Sequence, residues 1–236
     1  ITPILRYEAI SGERTNRLTG QNGSSKVSEA LPGIGVTWNP SPALTAFTSL
    51  HKGFAPPRVE DLIGGAGTVT DVDPEKSTNF EIGLRSQPMA GVSVQAAYFR
   101  TDYNNLIAVG SIAGGSTPLS QGKALFEGLE LGAQAEMKSG LLGRLAYTWL
   151  PTATQSEAFR RVDTQAVIGV AGMRQPYAPN QTLTAAAGYA LGSFRGEIEA
   201  QYVGKQFSDF ANTVTPTADG QKGEIAAYTV WNASLN

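Results

Sequence analysis

The chain has 236 residues, 27 Gly, one His, no Cys and a formal net charge of −2. Without cysteine there is neither a disulfide framework nor a thiolate-bound metal, and the slightly acidic balance argues against a nucleic-acid partner, which calls for a basic patch. No run of about 18 apolar residues marks a membrane helix, and the opening ITPILRYEAI carries no basic-then-apolar leader.

Gly and Pro interrupt almost every helical window, whereas period-2 alternation recurs. Ten strands are expected in chain order, at 1–11, 31–39, 43–53, 77–86, 92–106, 123–138, 142–153, 179–191, 194–207 and 226–236. In 194–202, Phe194, Gly196, Ile198, Ala200 and Tyr202 share one face while Arg195, Glu197, Glu199 and Gln201 share the other. The connections alternate long and short: 12–30 is long, Pro40–Pro42 short, 54–76 long, Gln87–Gly91 short, and so on to 208–225. Strands near the roughly 9–11 residues needed to cross a bilayer at a tilt, with this loop rhythm, predict an all-β, antiparallel up-and-down transmembrane barrel.

Three hairpins fix an expected register. Leu191 is paired with Phe194 across Gly192-Ser193; Glu136 with Arg144 across the loop Ser139-Gly140-Leu141; Phe80 with Tyr98 and Ile82 with Ala96 across 87–91. A charge facing hydrocarbon costs about 2–4 kcal/mol for Arg or Lys in a barrel wall. Arg6, Glu8, Glu81, Arg85, Glu130, Glu136, Arg144, Arg195, Glu197 and Glu199 are therefore expected to face a wet lumen. Tyr7, Trp38, Tyr98, Tyr147, Trp149, Tyr189 and Tyr202 then fall on or near the lipid face as an aromatic girdle.

Several segments together resemble one family. They are LRYE at 5–8, HKGFAPP at 51–57, DPEKSTNFEIGLR at 73–85, AAYFRTDYNNLI at 96–107, FEGLELGAQAE at 126–136, YAPNQTLTAAAGYAL at 177–191 and YVGKQF at 202–207. In this order they resemble the TonB-dependent outer-membrane receptors, importers of ferric siderophores, with the pattern nearest the ferric-citrate type. The resemblance implies that 1–236 is a partial barrel domain, ten strands of a barrel of about 22. It also implies a plug domain that this chain does not carry, and Glu81 and Glu130 are placed to bond whatever fills the bore. The implied partners are a ferric siderophore or other metal chelate, the TonB complex acting through the missing N-terminal part, and outer-membrane lipid. The implied location is the bacterial outer membrane. Haem and oligosaccharides are further cargoes of the family, so the resemblance leaves the chelate open.

Candidate binding residues lie in the long loop 154–178: Arg160, Arg161 and Arg174, with Gln175 and Tyr177 close by, and Arg58 beside Pro56-Pro57 as a second basic spot. Guanidinium groups bind carboxylates bidentately and suit an anionic iron chelate. The competing reading is a solvated loop in which Glu157 and Asp163 neutralise the arginines. His51 lacks partners in any catalytic spacing, and Asp61, Asp71 and Asp73 lack a calcium-loop pattern, so no metal site, cofactor or catalytic constellation is expected. Two other functions fit a barrel: a passive porin or adhesin, and a ten-stranded barrel enzyme with chemistry at its rim.

Overall fold

The computed structural model describes residues 1–56, 74–108, 119–158, 160–161, 166–167 and 171–236. Its strands are β1 (Thr2–Thr15), β2 (Asn22–Ser41), β3 (Leu44–Ala55), β4 (Glu75–Met89), β5 (Val92–Ala108), β6 (Leu119–Glu136) and β7 (Leu141–Gln155). Then follow β8 (Arg160–Arg161), β9 (Gln181–Leu191), β10 (Phe194–Val203), β11 (Gln206–Phe207), β12 (Glu224–Ile225) and β13 (Tyr228–Leu235). Ten of them form one antiparallel sheet in the order β1-β2-β3-β4-β5-β6-β7-β9-β10-β13. β8 attaches to β6, and β11 pairs with β12 in a separate ribbon. This is an up-and-down wall, open in this chain at β1 and β13.

The alternation assigns faces as expected. Row by row, the ten charged residues named above share one face and the seven aromatics share the other. The Gly192-Ser193 hairpin closes as expected, with Leu191 opposite Phe194, Tyr189 opposite Gly196 and Leu183 opposite Tyr202, and with Gly192 at φ 61°.

Two registers differ from expectation, each by two residues. Glu136 pairs with Leu142, and Arg144 pairs with Gln134. The loop is Lys138-Ser139-Gly140, because Gly140 takes φ 92° and its amide donates to the Met137 carbonyl at 2.9 Å while Met137 donates to Leu141 at 2.9 Å. A type I turn followed by a left-handed Gly is the ordinary three-residue hairpin. Similarly, Ile82 pairs with Tyr98 and Phe80 with Arg100, and the turn is Ala90-Gly91 with Gly91 at φ 78°. A bulge between Ser86 and Met89 absorbs Pro88, which cannot donate to the ladder. A shift of two preserves every face, so face polarity alone could not choose between these registers.

The expected loop 12–30 is also corrected. β1 and β2 stay paired out to Thr15–Asn22, and only the tip Asn16–Gln21 turns. There Asn16 Oδ1 accepts the Leu18 amide at 3.0 Å, and Gly20 adopts φ 71°. Polar residues on both faces hide such a strand from periodicity. At the other end of the chain, β10 stops at Val203 rather than 207, where the Gly204 amide turns to the Gln181 carbonyl at 2.9 Å.

Candidate functional site

The charged face is lined in rows. Gln134, Arg144, Ala186, Glu199 and Asn232 stand side by side across five strands. Because Ala186 is small, Arg144 reaches over β9 to Glu199 and, at 3.4 Å, to Glu197. Glu199 also accepts from Gln201 Nε2 at 2.5 Å and from Asn232 Nδ2 at 3.2 Å. Paired charges of this kind are at home in a wetted or protein-filled lumen and costly against lipid.

Nearer the middle of the wall, two aromatic residues lie down on the glycines opposite them. A Cβ on Gly83 would meet the Phe47 ring at 2.5 Å and the Ala96 carbonyl at 2.6 Å; one on Gly128 would meet Trp149 O at 2.5 Å and Phe99 Cζ at 3.0 Å. Arg85 covers the Phe47 ring at 4.5 Å, a cation–π contact. The flattened rings keep this face low beside Glu81 and Glu130, which sit two strands apart on β4 and β6 and make no ion pair among the described residues.

The apolar face ends in a polar rim at the outer ends of the strands. Phe80 and Tyr98 meet edge to face at 6.3 Å. One step further out, Arg100 pairs with Asp102 at 2.9 Å and with Glu127 at 3.6 Å, while Lys52 Nζ donates to Thr78 at 2.7 Å. Charges thus appear on this face only where hydrocarbon would give way to headgroups.

At the outer end of β7 the architecture changes. Phe126 and Ala124 carry the charged-face parity, and opposite them stand Ala153 and Gln155, so these side chains point to the luminal side of the rim. Residues 173–175 add a short partner to 153–155: the Gln155 amide donates to Met173 O at 2.8 Å and the Gln175 amide to Ala153 O at 2.7 Å. The loop after β10 packs onto this pair, with Phe210 buried and its carbonyl accepting from Gln155 Nε2 at 2.9 Å. Gln155 Oε1 and Gln175 Nε2 are buried here with no hydrogen-bond partner among the described residues.

Arg174 fastens the assembly. Its guanidinium donates to three backbone carbonyls: Ala178 at 2.7 Å, Leu150 at 2.6 Å and Pro151 at 3.3 Å. Its own amide donates to Asn212 Oδ1 at 2.6 Å, and its carbonyl accepts from Asn212 Nδ2 at 2.8 Å. Burial lowers the guanidinium pKa from its ordinary value, but an arginine stays charged. Asn212 reaches this position because Asp209 folds the turn beneath it, accepting from the Ala211 amide at 2.9 Å and the Thr213 hydroxyl at 3.1 Å, with Asn212 at φ 52°.

The sequence-level candidates are thus separated. Gln175 is buried in this core, and Tyr177, at φ 54°, donates its amide to Phe207 O at 2.8 Å and leaves its side chain 49% exposed. Arg160 and Arg161 form β8 against Ser120 and Leu119, with their side chains outside the described residues, as is Arg58 altogether. Glu157 pairs with Lys123 at 2.6 Å, while Asp163, Asp61, Asp71 and Asp73 lie outside the described residues. Sequence reasoning missed Gln155, Asp209 and Asn212. The signal was present in D-F-A-N-T at 209–213, an Asp able to accept amides two and four residues on.

An antiparallel wall with a charged face, a greasy face and loops packed at one end defines the barrel section of an outer-membrane type protein. The chain belongs to the TonB-dependent receptor-like β-barrel family, whose model matches residues 1–236. Its fold is similar to that of the ferric citrate transporter FecA in the unliganded form, with a TM-score of 0.74 and 20% identity, covering 99% of this chain and 34% of that one. It is also similar to the ferric-catecholate import receptor Fiu from E. coli, with a TM-score of 0.63, 19% identity and coverage of 91% and 29%. A third is the ferric yersiniabactin uptake receptor FyuA from Yersinia pestis, with a TM-score of 0.62, 19% identity and coverage of 92% and 31%. The chain spans about a third of the length of these structures.

Proposed function

We propose that the complete protein is a bacterial outer-membrane receptor that imports a ferric siderophore or similar metal chelate, driven by TonB through a plug domain, with residues 1–236 as one section of its barrel. The observation that carries this reading is the luminal face. Among the described residues Glu81 and Glu130 make no ion pair, and they stand on this face beside a wall flattened by Phe47 and Phe99, where both carboxylates can bond polar groups of a protein filler.

Cargo meets the outer loops of this section in two ways. Arg160, Arg161 and Arg58 supply guanidinium groups for an anionic chelate. Arg174 and Gln175 hold the loops in place, leaving Tyr177 presented at the surface. The expected partners are the chelate, the TonB complex and outer-membrane lipid, and the activity is transport rather than catalysis.

The test is growth of a receptor-deleted strain on single iron sources with the full gene restored. Rescue on one or more ferric chelates, lost when TonB is deleted, is the expected result. Rescue independent of TonB would instead indicate a passive barrel.

A further inference from the structure

On the apolar face the wall is hollowed between β2 and β6. Trp38, Ala46, Leu84, Ala96 and Leu131 form one row across five strands, so two short side chains alternate with three long ones. Trp38, Leu84 and Leu131 are 66%, 51% and 43% exposed and stand as ridges. The depression among them holds about 520 Å³, in the range of small-molecule sites. Thr48 lines it one step further out, but its hydroxyl donates to the Glu81 carbonyl at 2.9 Å and is not offered to a ligand. The hollow is therefore greasy and open outward.

A cation stands above it on the same strand. Lys52 shares the face of Ala46 and Thr48 and lies four residues beyond Thr48 toward the external loops, about 13 Å at about 3.3 Å per residue. Leu50 and Phe80, opposite each other between the two positions, keep the path apolar. The Lys52 side chain is exposed; its Nζ donates to the Thr78 hydroxyl at 2.7 Å and makes no ion pair among the described residues. Neighbouring cations on this rim are already matched, Arg100 by Asp102 and Glu127, and Lys123 by Glu157.

We propose that this stretch of wall binds one phosphorylated lipid of the outer leaflet, with an acyl chain in the hollow and a phosphate on Lys52 and Thr78. A hollow facing hydrocarbon forfeits dispersion contacts unless something fills it, and a flexible chain is the occupant its surroundings supply. An ammonium is a point charge that suits phosphate, and an unmatched one at the edge of hydrocarbon gains from an anionic headgroup. The Thr78 hydroxyl accepts from Lys52 and so keeps its own proton to donate to a phosphate oxygen. The inference rests on the outer-membrane placement in the reading above, and not on its cargo or on TonB.

The experiment is native mass spectrometry of the purified, delipidated full-length receptor titrated with two probes, bis-phosphorylated lipid A and the same lipid stripped of its phosphates. The expected result is a preferred first molecule of the phosphorylated probe, bound about tenfold more tightly than the stripped one. Lys52→Gln should remove that preference, and Lys52→Arg should retain it. Ala46→Leu combined with Ala96→Leu fills the hollow and should weaken both probes about fivefold. Ala187→Leu makes the same change elsewhere on the apolar face, opposite Ile198, and should move neither probe by more than about twofold. If the double leucine variant fails to fold, the Lys52 pair alone decides. A graded series of adducts with no preferred first molecule, equal affinity for the two probes, or equal losses in Ala187→Leu and the filled hollow would overturn the proposal. Growth on ferric chelates reads the transport proposal separately: a receptor that binds the lipid but rescues no growth would overturn that reading alone.

Discussion

Along the ten strands each side chain touches mainly its row neighbours, and both faces stay open. At the outer end of β7, by contrast, eight of the thirteen buried non-glycine residues among those described gather in one place: Ala124, Ala153, Gln155, Gln175, Ala178, Ser208, Asp209 and Phe210. The wall buries little of its own surface, and its greasy and charged faces are both largely exposed. The mouth carries its own core, held by side chain-to-backbone hydrogen bonds. The difference shows that the described loop residues 173–178 and 204–213 are packed on one another, whereas the strands gain burial only from what lies against their faces.

The contrast can be broken by substitutions on either side. The largest effect is expected in the wall, from Gly83→Val. Its Cβ would meet the Phe47 ring and the Ala96 carbonyl at 2.5 and 2.6 Å, and the carbonyl belongs to backbone that cannot step aside without disturbing the ladder. Overpacking of this kind costs about 3 kcal/mol or more when backbone must move, seen as loss of the heat-resistant folded band of the complete receptor on gels. Next is Arg174→Ala, which strips donors from the Leu150, Pro151 and Ala178 carbonyls. Loss of a charged donor is worth about 1.5–3 kcal/mol. Here it should speed hydrogen exchange at 150–155 and 204–213 without moving the barrel's unfolding midpoint.

Asn212→Gly keeps the positive φ but removes both bonds to the Arg174 backbone, at 2.6 and 2.8 Å. It should cost about 1–2 kcal/mol locally, and in a double-mutant cycle with Arg174→Ala the two losses should fall short of their sum. The smallest effect is expected from Arg144→Ala. The Arg144 side chain is half exposed, and Glu199 keeps Gln201 and Asn232 as partners. A surface-like pair of this kind contributes less than about 1 kcal/mol, measured as a small shift in midpoint.

The wall was largely legible in the sequence, because alternation reports which way a side chain points and charge reports which face avoids lipid. Glu197 and Glu199, or Leu129 and Leu131, could be assigned on that basis alone. Register was not legible to the same depth, since Pro88 in its bulge and Gly140 at φ 92° move a hairpin by two residues without changing a face. The β1–β2 extension escaped notice because neither of its faces is apolar. At the mouth, loop position and residue type pointed to Arg174, Gln175 and Tyr177. Their opposite fates, two holding the core and one exposed, depend on contacts with Leu150, Phe207 and Asn212 that no local pattern encodes.

The central claim is that one face of this wall meets lipid and the other a filled bore. It is tested most directly by single cysteines at Leu129, Glu130 and Leu131 in the complete receptor, with any cysteine outside this section replaced by serine, in outer-membrane vesicles. Leu129→Cys and Leu131→Cys should react with a lipid-soluble maleimide and resist a charged one. Glu130→Cys should resist the lipid-soluble reagent and become reactive to the charged one when the plug is deleted. Equal reactivity at all three positions, or lipid exposure at position 130, would contradict the account.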